Sequence, residues 1–261
     1  MTRAGLAECA RECLRVLRAG LDRATLHADA EQAGYAWYAI PVFCRGVFLC
    51  ESASVLARSE QRPAAAALLR TAVECWIDTC YVLYCREPAV AQLAGSDLAR
   101  LETLARRTLG EVPDQLAAER AELDEIVRAA IAAGHLPHDF QSRDLPVDQR
   151  LRRAIEARSA PNYYMVLYEG LYRCLSSSEV HTTGAVEVHA EITEHVARFR
   201  VSPSERFDVD VLTALVTQFL CEAAVDVFAV LGRDTAELVS AHRNLVAQLG
   251  PAGVEMFLSS G

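Results

Sequence analysis

Residues Ala64-Ala-Ala-Ala-Leu-Leu-Arg-Thr-Ala-Val-Glu-Cys-Trp-Ile-Asp-Thr-Cys-Tyr-Val-Leu-Tyr84 decide how the chain folds. Leu69, Val73, Trp76, Cys80 and Leu83 repeat at helical spacing, and most positions between them are apolar or small, so the stretch reads as a helix covered on several sides. Such a helix is the centre of a bundle. Arg70, Glu74 and Asp78 interrupt it at successive i,i+4 steps and therefore share one stripe. Charges in an apolar wall are costly unless paired or facing a cavity, which makes this stripe the first place to look for a site.

The flanking sequence continues the helical pattern. Leu6, Cys9, Ala10, Cys13, Leu17 and Leu21 form a heptad-like seam in a first helix over 2–32, with Gly34 as its expected stop. A second, more apolar helix is expected over 37–56, started or kinked at Pro41, with Arg45 and Glu51 as inward-facing charges. Arg62-Pro63 places proline in the first turn of the central helix. Pro88 and Pro113 open two Arg/Glu/Ala-rich surface helices, ending near Leu109 and Ala133. A loop to Pro146 carries His135 and His138, and a short basic helix is expected over 147–158.

Residues 161–178 form a Tyr-rich helix with Tyr164, Tyr168, Leu171 and Leu175 on one face and Tyr172 one turn beyond Tyr168. It ends in Ser176, Ser177 and Ser178, followed by His181 at an element end, where sites are often built. Alternation over 186–201 permits a small hairpin, with a helix as the alternative. An apolar helix over 209–231 and a final one from Asp234 to Gln248 complete the reading. It is an all-α, single-domain antiparallel bundle of about eight or nine helices.

With 261 residues, 52% of them hydrophobic, the chain can bury a large core. The nine cysteines form no CxxC or Cys/His ligand box, so they are expected as reduced core thiols of a cytosolic protein without a metal site. No apolar leader is expected at the start, and the charges inside the longest apolar helices speak against membrane spanning. Every basic side chain other than histidine is arginine, which removes Schiff-base chemistry and the phosphate-loop lysine. A net charge of -9 disfavours nucleic acid as a partner, although Arg150, Arg152, Arg153 and Arg158 are spaced as a local arginine face.

Arg70 and Glu74 in Leu-Leu-Arg-Thr-Ala-Val-Glu, followed by Tyr168, Tyr172, Ser176 to Ser178 and His181, resemble a bacterial all-helical family known only as a domain of unknown function. The resemblance covers about residues 40 to 185. It implies an all-α fold in which these residues converge, and it brings no activity with it.

The residues themselves give the expectation of a small polar or anionic ligand held by Arg70, Asp78, Tyr168, Tyr172 and Ser178, with Glu74 and His181 as acid–base candidates and no cofactor identified. The plain alternative is that Arg70 and Glu74 are a structural ion pair and the protein a non-catalytic partner-binding module. A metal-dependent carboxylate bundle would use Glu51, Glu74, Asp78, Glu222 and Asp226, yet no Glu-x-x-His occurs in the chain. A HEPN-like RNA-processing or defence nuclease would pair Arg173 with His181, but seven residues separate them, longer than that motif's usual gap. A homodimer is expected through the seam of the first helix or through 211–231.

Overall fold

Helical periodicity is realised throughout the computed structural model, which describes residues 3–22, 24–26, 33–59, 61–134, 136–140, 145–159, 163–177, 190–192, 197–199 and 208–258. Nine helices appear among them. They are α1 (Arg3–Leu21), α2 (Ala33–Arg58), α3 (Arg62–Cys85), α4 (Glu87–Leu109), α5 (Asp114–Ala132), α6 (Val147–Arg158), α7 (Tyr163–Ser177), α8 (Val209–Val230) and α9 (Ala236–Leu258). Strands β1 (Ala190–Ile192) and β2 (Ala197–Phe199) pair antiparallel, with Glu191 opposite Arg198, so alternation wins over helical spacing in this stretch.

The central position of α3 follows from its composition. Thirteen of its residues are buried, and α2, α4, α6, α7 and α8 all pack on it. Trp76 stacks on Phe219 of α8 with ring centroids 4.6 Å apart, and Tyr164 of α7 leans on both rings at 6.2 and 6.3 Å. This aromatic knot joins three helices at the middle of the bundle. Gly46 eases the close approach of α2, because a Cβ there would lie a tight 3.1 Å from the Cys75 Cβ and 3.3 Å from Leu220 Cδ2.

Several expectations are corrected. Described α1 ends at Leu21, and Gly34 lies in the first turn of α2 rather than stopping α1; residues 27–32 fall outside the described set. Helix α2 runs through Pro41, Arg45 is exposed, and Glu51 accepts a hydrogen bond from Arg18 of α1 at 3.3 Å. Asp234 accepts from the Ala236 N–H at the start of α9, but α9 passes Gln248 and bends at Gly250, whose φ of 57° suits glycine. The seam of α1 is buried against α8 and α9, so that surface and most of α8 are used inside the chain.

By length and composition, Gly34–Arg58 and Val209–Val230 could each cross a membrane, and 78% of the apolar window in the second is buried inside the fold. Burial in the core accounts for the composition of α8. The cysteines described are free, and burial pushes the Cys50 thiol up to about 12 and that of Cys75 to about 11.

Candidate functional site

The charged stripe of α3 meets α7 at one end and α6 at the other. At the first meeting, Arg70 Nη2 donates to the Tyr172 hydroxyl at 2.6 Å, and that hydroxyl donates to Glu74 Oε1 at 3.3 Å. Arg70 Nε stands 3.5 Å from the same carboxylate oxygen, and the guanidinium lies over the Tyr172 ring, 4.9 Å from its centroid. Tyr172 thus holds the cation by both its face and its oxygen. Tyr168 is buried and supports the arrangement, its ring centroid 5.1 Å from that of Tyr172. Burial raises the Tyr168 hydroxyl above its ordinary value, so it is a neutral donor at physiological pH.

One turn on, Asp78 pairs with Arg150 of α6 through Oδ1 and Nη1. Loss of hydration pushes the Asp78 carboxyl up to about 6 despite this partner, with Glu74 and Asp97 adding to the rise. Tyr38 of α2 donates to Asp97 at 3.2 Å and feels the Asp78 and Arg150 charges. The Nε atoms of Arg70 and Arg150 are both buried without a hydrogen-bond partner. Arg70 Nε has only its 3.5 Å ion-pair approach to Glu74.

A second constellation lies on the Trp76, Cys80, Tyr84 stripe of α3. Tyr84 donates to Asp226 of α8, and Arg158 at the end of α6 pairs with the same carboxylate at 3.3 Å while lying 5.1 Å over the Tyr84 ring. Tyr164 donates to Glu222 at 2.6 Å, and Gln218 supports that carboxylate at 3.3 Å. The slot between them, lined by Trp76, Cys80, Tyr84, Arg158, Tyr164 and Glu222, has a cavity volume of about 20 Å³. That is room for an ordered water rather than a substrate, and the polar groups around it already satisfy one another.

Of the residues singled out from sequence, Arg70, Glu74, Tyr168 and Tyr172 come together and Asp78 lies one turn away with Arg150. Ser178 and His181 fall outside the described residues, as does His135; His138 is exposed in a turn. Three of the four arginines of the expected face have partners inside the fold, and Arg152 is exposed. Arg150 turns inward to Asp78, Arg153 bonds Gln92 at 3.3 Å, and Arg158 goes to Asp226. Nor do the carboxylates of the metal reading converge, since Glu51 goes to Arg18 on α1, Glu222 and Asp226 to the second constellation, and Glu74 and Asp78 to the first. Among the described residues no group of three or more His, Cys, Asp or Glu could hold a metal ion.

Sequence reasoning missed Arg150 as the partner of Asp78. The signal was present, because Arg150 flanks Leu151, Ala154 and Ile155, the only apolar stripe of α6, and so shares its buried face. Tyr84, Arg158 and Tyr164 carried no such signal, since only the crossing of α3, α6, α7 and α8 brings them together.

Comparison with curated proteins and with solved structures finds no match in either. The model of a family of unknown function (DUF5677) matches residues 36–194. That segment runs from α2 to β1 and holds Arg70, Glu74, Asp78, Arg150, Tyr168 and Tyr172, whereas Glu222 and Asp226 lie beyond it. The match covers more than half of the chain, and the protein belongs to this family of unknown function.

Proposed function

We propose that the protein recognises a small ligand carrying a carboxylate or phosphate at the Arg70–Glu74–Tyr172 cluster, with Arg150 and Asp78 completing the site. The observation that carries this reading is the pair of buried, unbonded Nε donors on Arg70 and Arg150. A guanidinium offers five donors in a planar fork, and an anion that used one edge would satisfy what the protein leaves open. Glu74 is the more exposed of the pair, its side chain 33% exposed against 22% for Arg70.

Charge balance sets the strength of such binding. With both carboxylates ionised, the two arginines are neutralised and the cluster attracts anions weakly. Protonation of Asp78 near pH 6 leaves Arg150 in excess, so affinity for an anion rises as pH falls through that value. Glu74, partly exposed and accepting from Tyr172, is the general-base candidate in this reading.

The test is calorimetric titration of the full chain with inorganic phosphate and with small mono- and dicarboxylates at pH 5.5 and pH 7.5. Binding at the lower pH that disappears in Arg70→Gln, while the variant keeps its helical circular dichroism, supports the reading. No binding of any anion at either pH, or equal binding by Arg70→Gln, refutes it. His181→Ala then separates recognition from turnover, because a catalytic histidine would be needed for rate and not for affinity.

A further inference from the structure

The first turns of α1 and α8 meet the last turns of α2 around a cavity of about 140 Å³. Its space exists because the α1 wall is made of Ala4, Ala7 and Ala10, whose side chains end at Cβ. The cavity shares no residue with the Arg70 cluster or with the slot beside Trp76. Two of its charged residues, Arg11 and Asp210, also lie outside residues 36–194, the segment that the family model matches.

The polar groups around this cavity are unequally used. Arg11 pairs through one Nη with Glu8 on its own helix. Arg58 donates its Nε to the Ser54 carbonyl at 3.3 Å, a bond that leaves both of its Nη groups uncommitted among the described residues. Asp210 gives its backbone N–H to the Asp208 carboxylate at 3.0 Å, and its own carboxylate accepts nothing from the described residues. The Thr213 hydroxyl is spent on the Val209 carbonyl at 2.7 Å, whereas that of Ser54 has no such partner among them. Guanidinium and carboxylate groups therefore face one cavity, yet no ion pair among the described residues joins either arginine to Asp210. Opposite charges attract strongly at contact and weakly across water, so charges held apart by a hydrated gap gain little from being neighbours.

We propose that this cavity binds a small amino acid as its zwitterion, with the carboxylate on Arg58 and Arg11 and the ammonium on Asp210. Charge selects that class. With Arg11 neutralised by Glu8, Arg58 and Asp210 leave the cavity without net charge, so Asp210 opposes a plain anion and Arg58 a plain cation. A zwitterion sets each of its ends on the opposite charge and closes the gap from both sides. The two Nη groups of Arg58 form a fork for the carboxylate, and the Ser54 hydroxyl can accept from the ammonium. Size selects among zwitterions. A cavity of about 150 Å³ holds benzene, so this one takes a ligand of about six non-hydrogen atoms, the size of alanine. The methyl groups of Ala4, Ala7 and Ala10 suit the aliphatic side of such a ligand and offer nothing that competes for its charges.

Equilibrium dialysis of the full chain against radiolabelled L-alanine, with unlabelled competitors, tests the proposal. Wild type should bind with a Kd of about 1 mM or below. N-acetyl-L-alanine, which lacks the ammonium, and L-alaninamide, which lacks the carboxylate, should each compete at least about tenfold more weakly than L-alanine itself. Arg58→Gln and Asp210→Asn should each weaken alanine about tenfold with unchanged helical circular dichroism, because Arg58 is exposed and the Asp210 carboxylate takes no part in capping α8. Ala7→Leu fills the cavity without touching a charge and should abolish binding, which keeps the proposal falsifiable if a charge variant misfolds. A wild-type Kd above about 10 mM overturns the proposal, as does N-acetyl-L-alanine competing as well as alanine. Alanine binding that Arg70→Gln abolishes and Asp210→Asn spares belongs to the Arg70 cluster and overturns it too.

Discussion

Removing one oxygen from Tyr172 tests whether the Arg70–Glu74 cluster acts as a unit. In Tyr172→Phe the ring stays under the guanidinium and beside Tyr168, so the change is confined to two hydrogen bonds, one from Arg70 at 2.6 Å and one to Glu74 at 3.3 Å. Hydrogen bonds to charged groups contribute about 1.5–3 kcal/mol each when well buried. The second is at the long end of the range, and the Arg70 and Glu74 side chains are 22% and 33% exposed, so water replaces part of what is lost. The expected cost is therefore about 1–2 kcal/mol, well below the roughly 3–5 kcal/mol for breaking a fully buried pair. Glu74→Gln alone should cost about 0.5–1 kcal/mol, because the amide oxygen still accepts from Tyr172. Combined with Tyr172→Phe it should show a coupling of about 0.5–1 kcal/mol. Urea unfolding with linear extrapolation measures all three variants, provided the slope is unchanged. A Tyr172→Phe cost below about 0.3 kcal/mol, or strict additivity with Glu74→Gln, would mean the three side chains are independently solvated and would refute the reasoning.

Three further outcomes follow from the packing and electrostatics. Trp76→Ala removes a 3%-exposed ring from the knot with Phe219 and Tyr164 and should cost about 3–5 kcal/mol in chemical denaturation; a cost under about 2 kcal/mol would mean the cavity collapses freely. Gly46→Ala should be close to neutral, since about 1 kcal/mol of gained helix propensity offsets the squeeze on Cys75, while Gly46→Val should cost about 2–3 kcal/mol; a thermal melt in which valine is neutral would contradict the close α2–α3 approach. Asp78 is raised from 3.8 to about 6 on folding, so the folded state binds its proton more tightly, and this stabilisation is complete below 3.8 and lost as pH rises through 6. Over that window wild type should gain stability relative to Asp78→Asn as pH falls, by up to about 3 kcal/mol, and a flat difference in melts from pH 4 to 7 would remove Asp78 as the titrating group.

The sequence alone determined the helices and the centre of the bundle, because a 3.6-residue period and the number of apolar positions around it depend only on the order of residues. The stretch 64–84 showed that α3 is enclosed, and the stripe Arg70, Glu74, Asp78 followed from i,i+4 spacing without knowledge of what lay opposite. Tyr168 and Tyr172 were legible for the same reason. The partners of those charges were decided by the tertiary structure. Asp78 faces Arg150 and not another group because α6 crosses α3 one turn beyond α7, and no local pattern encodes a crossing. The same is true of Arg150, Arg153 and Arg158 of α6, which sit within nine residues of one another and yet reach three separate partners on α3, α4 and α8. The ends of elements were set by tertiary contacts as well, so Gly34, which by itself suits a helix stop, was taken into α2 where packing against α3 outweighs the roughly 1 kcal/mol cost of a helical glycine. Composition could mark the outer faces of α4 and α5 as polar, but only the fold shows that the two helices pair through Arg120 and Glu102 and leave Leu101, Leu104 and Ile126 exposed.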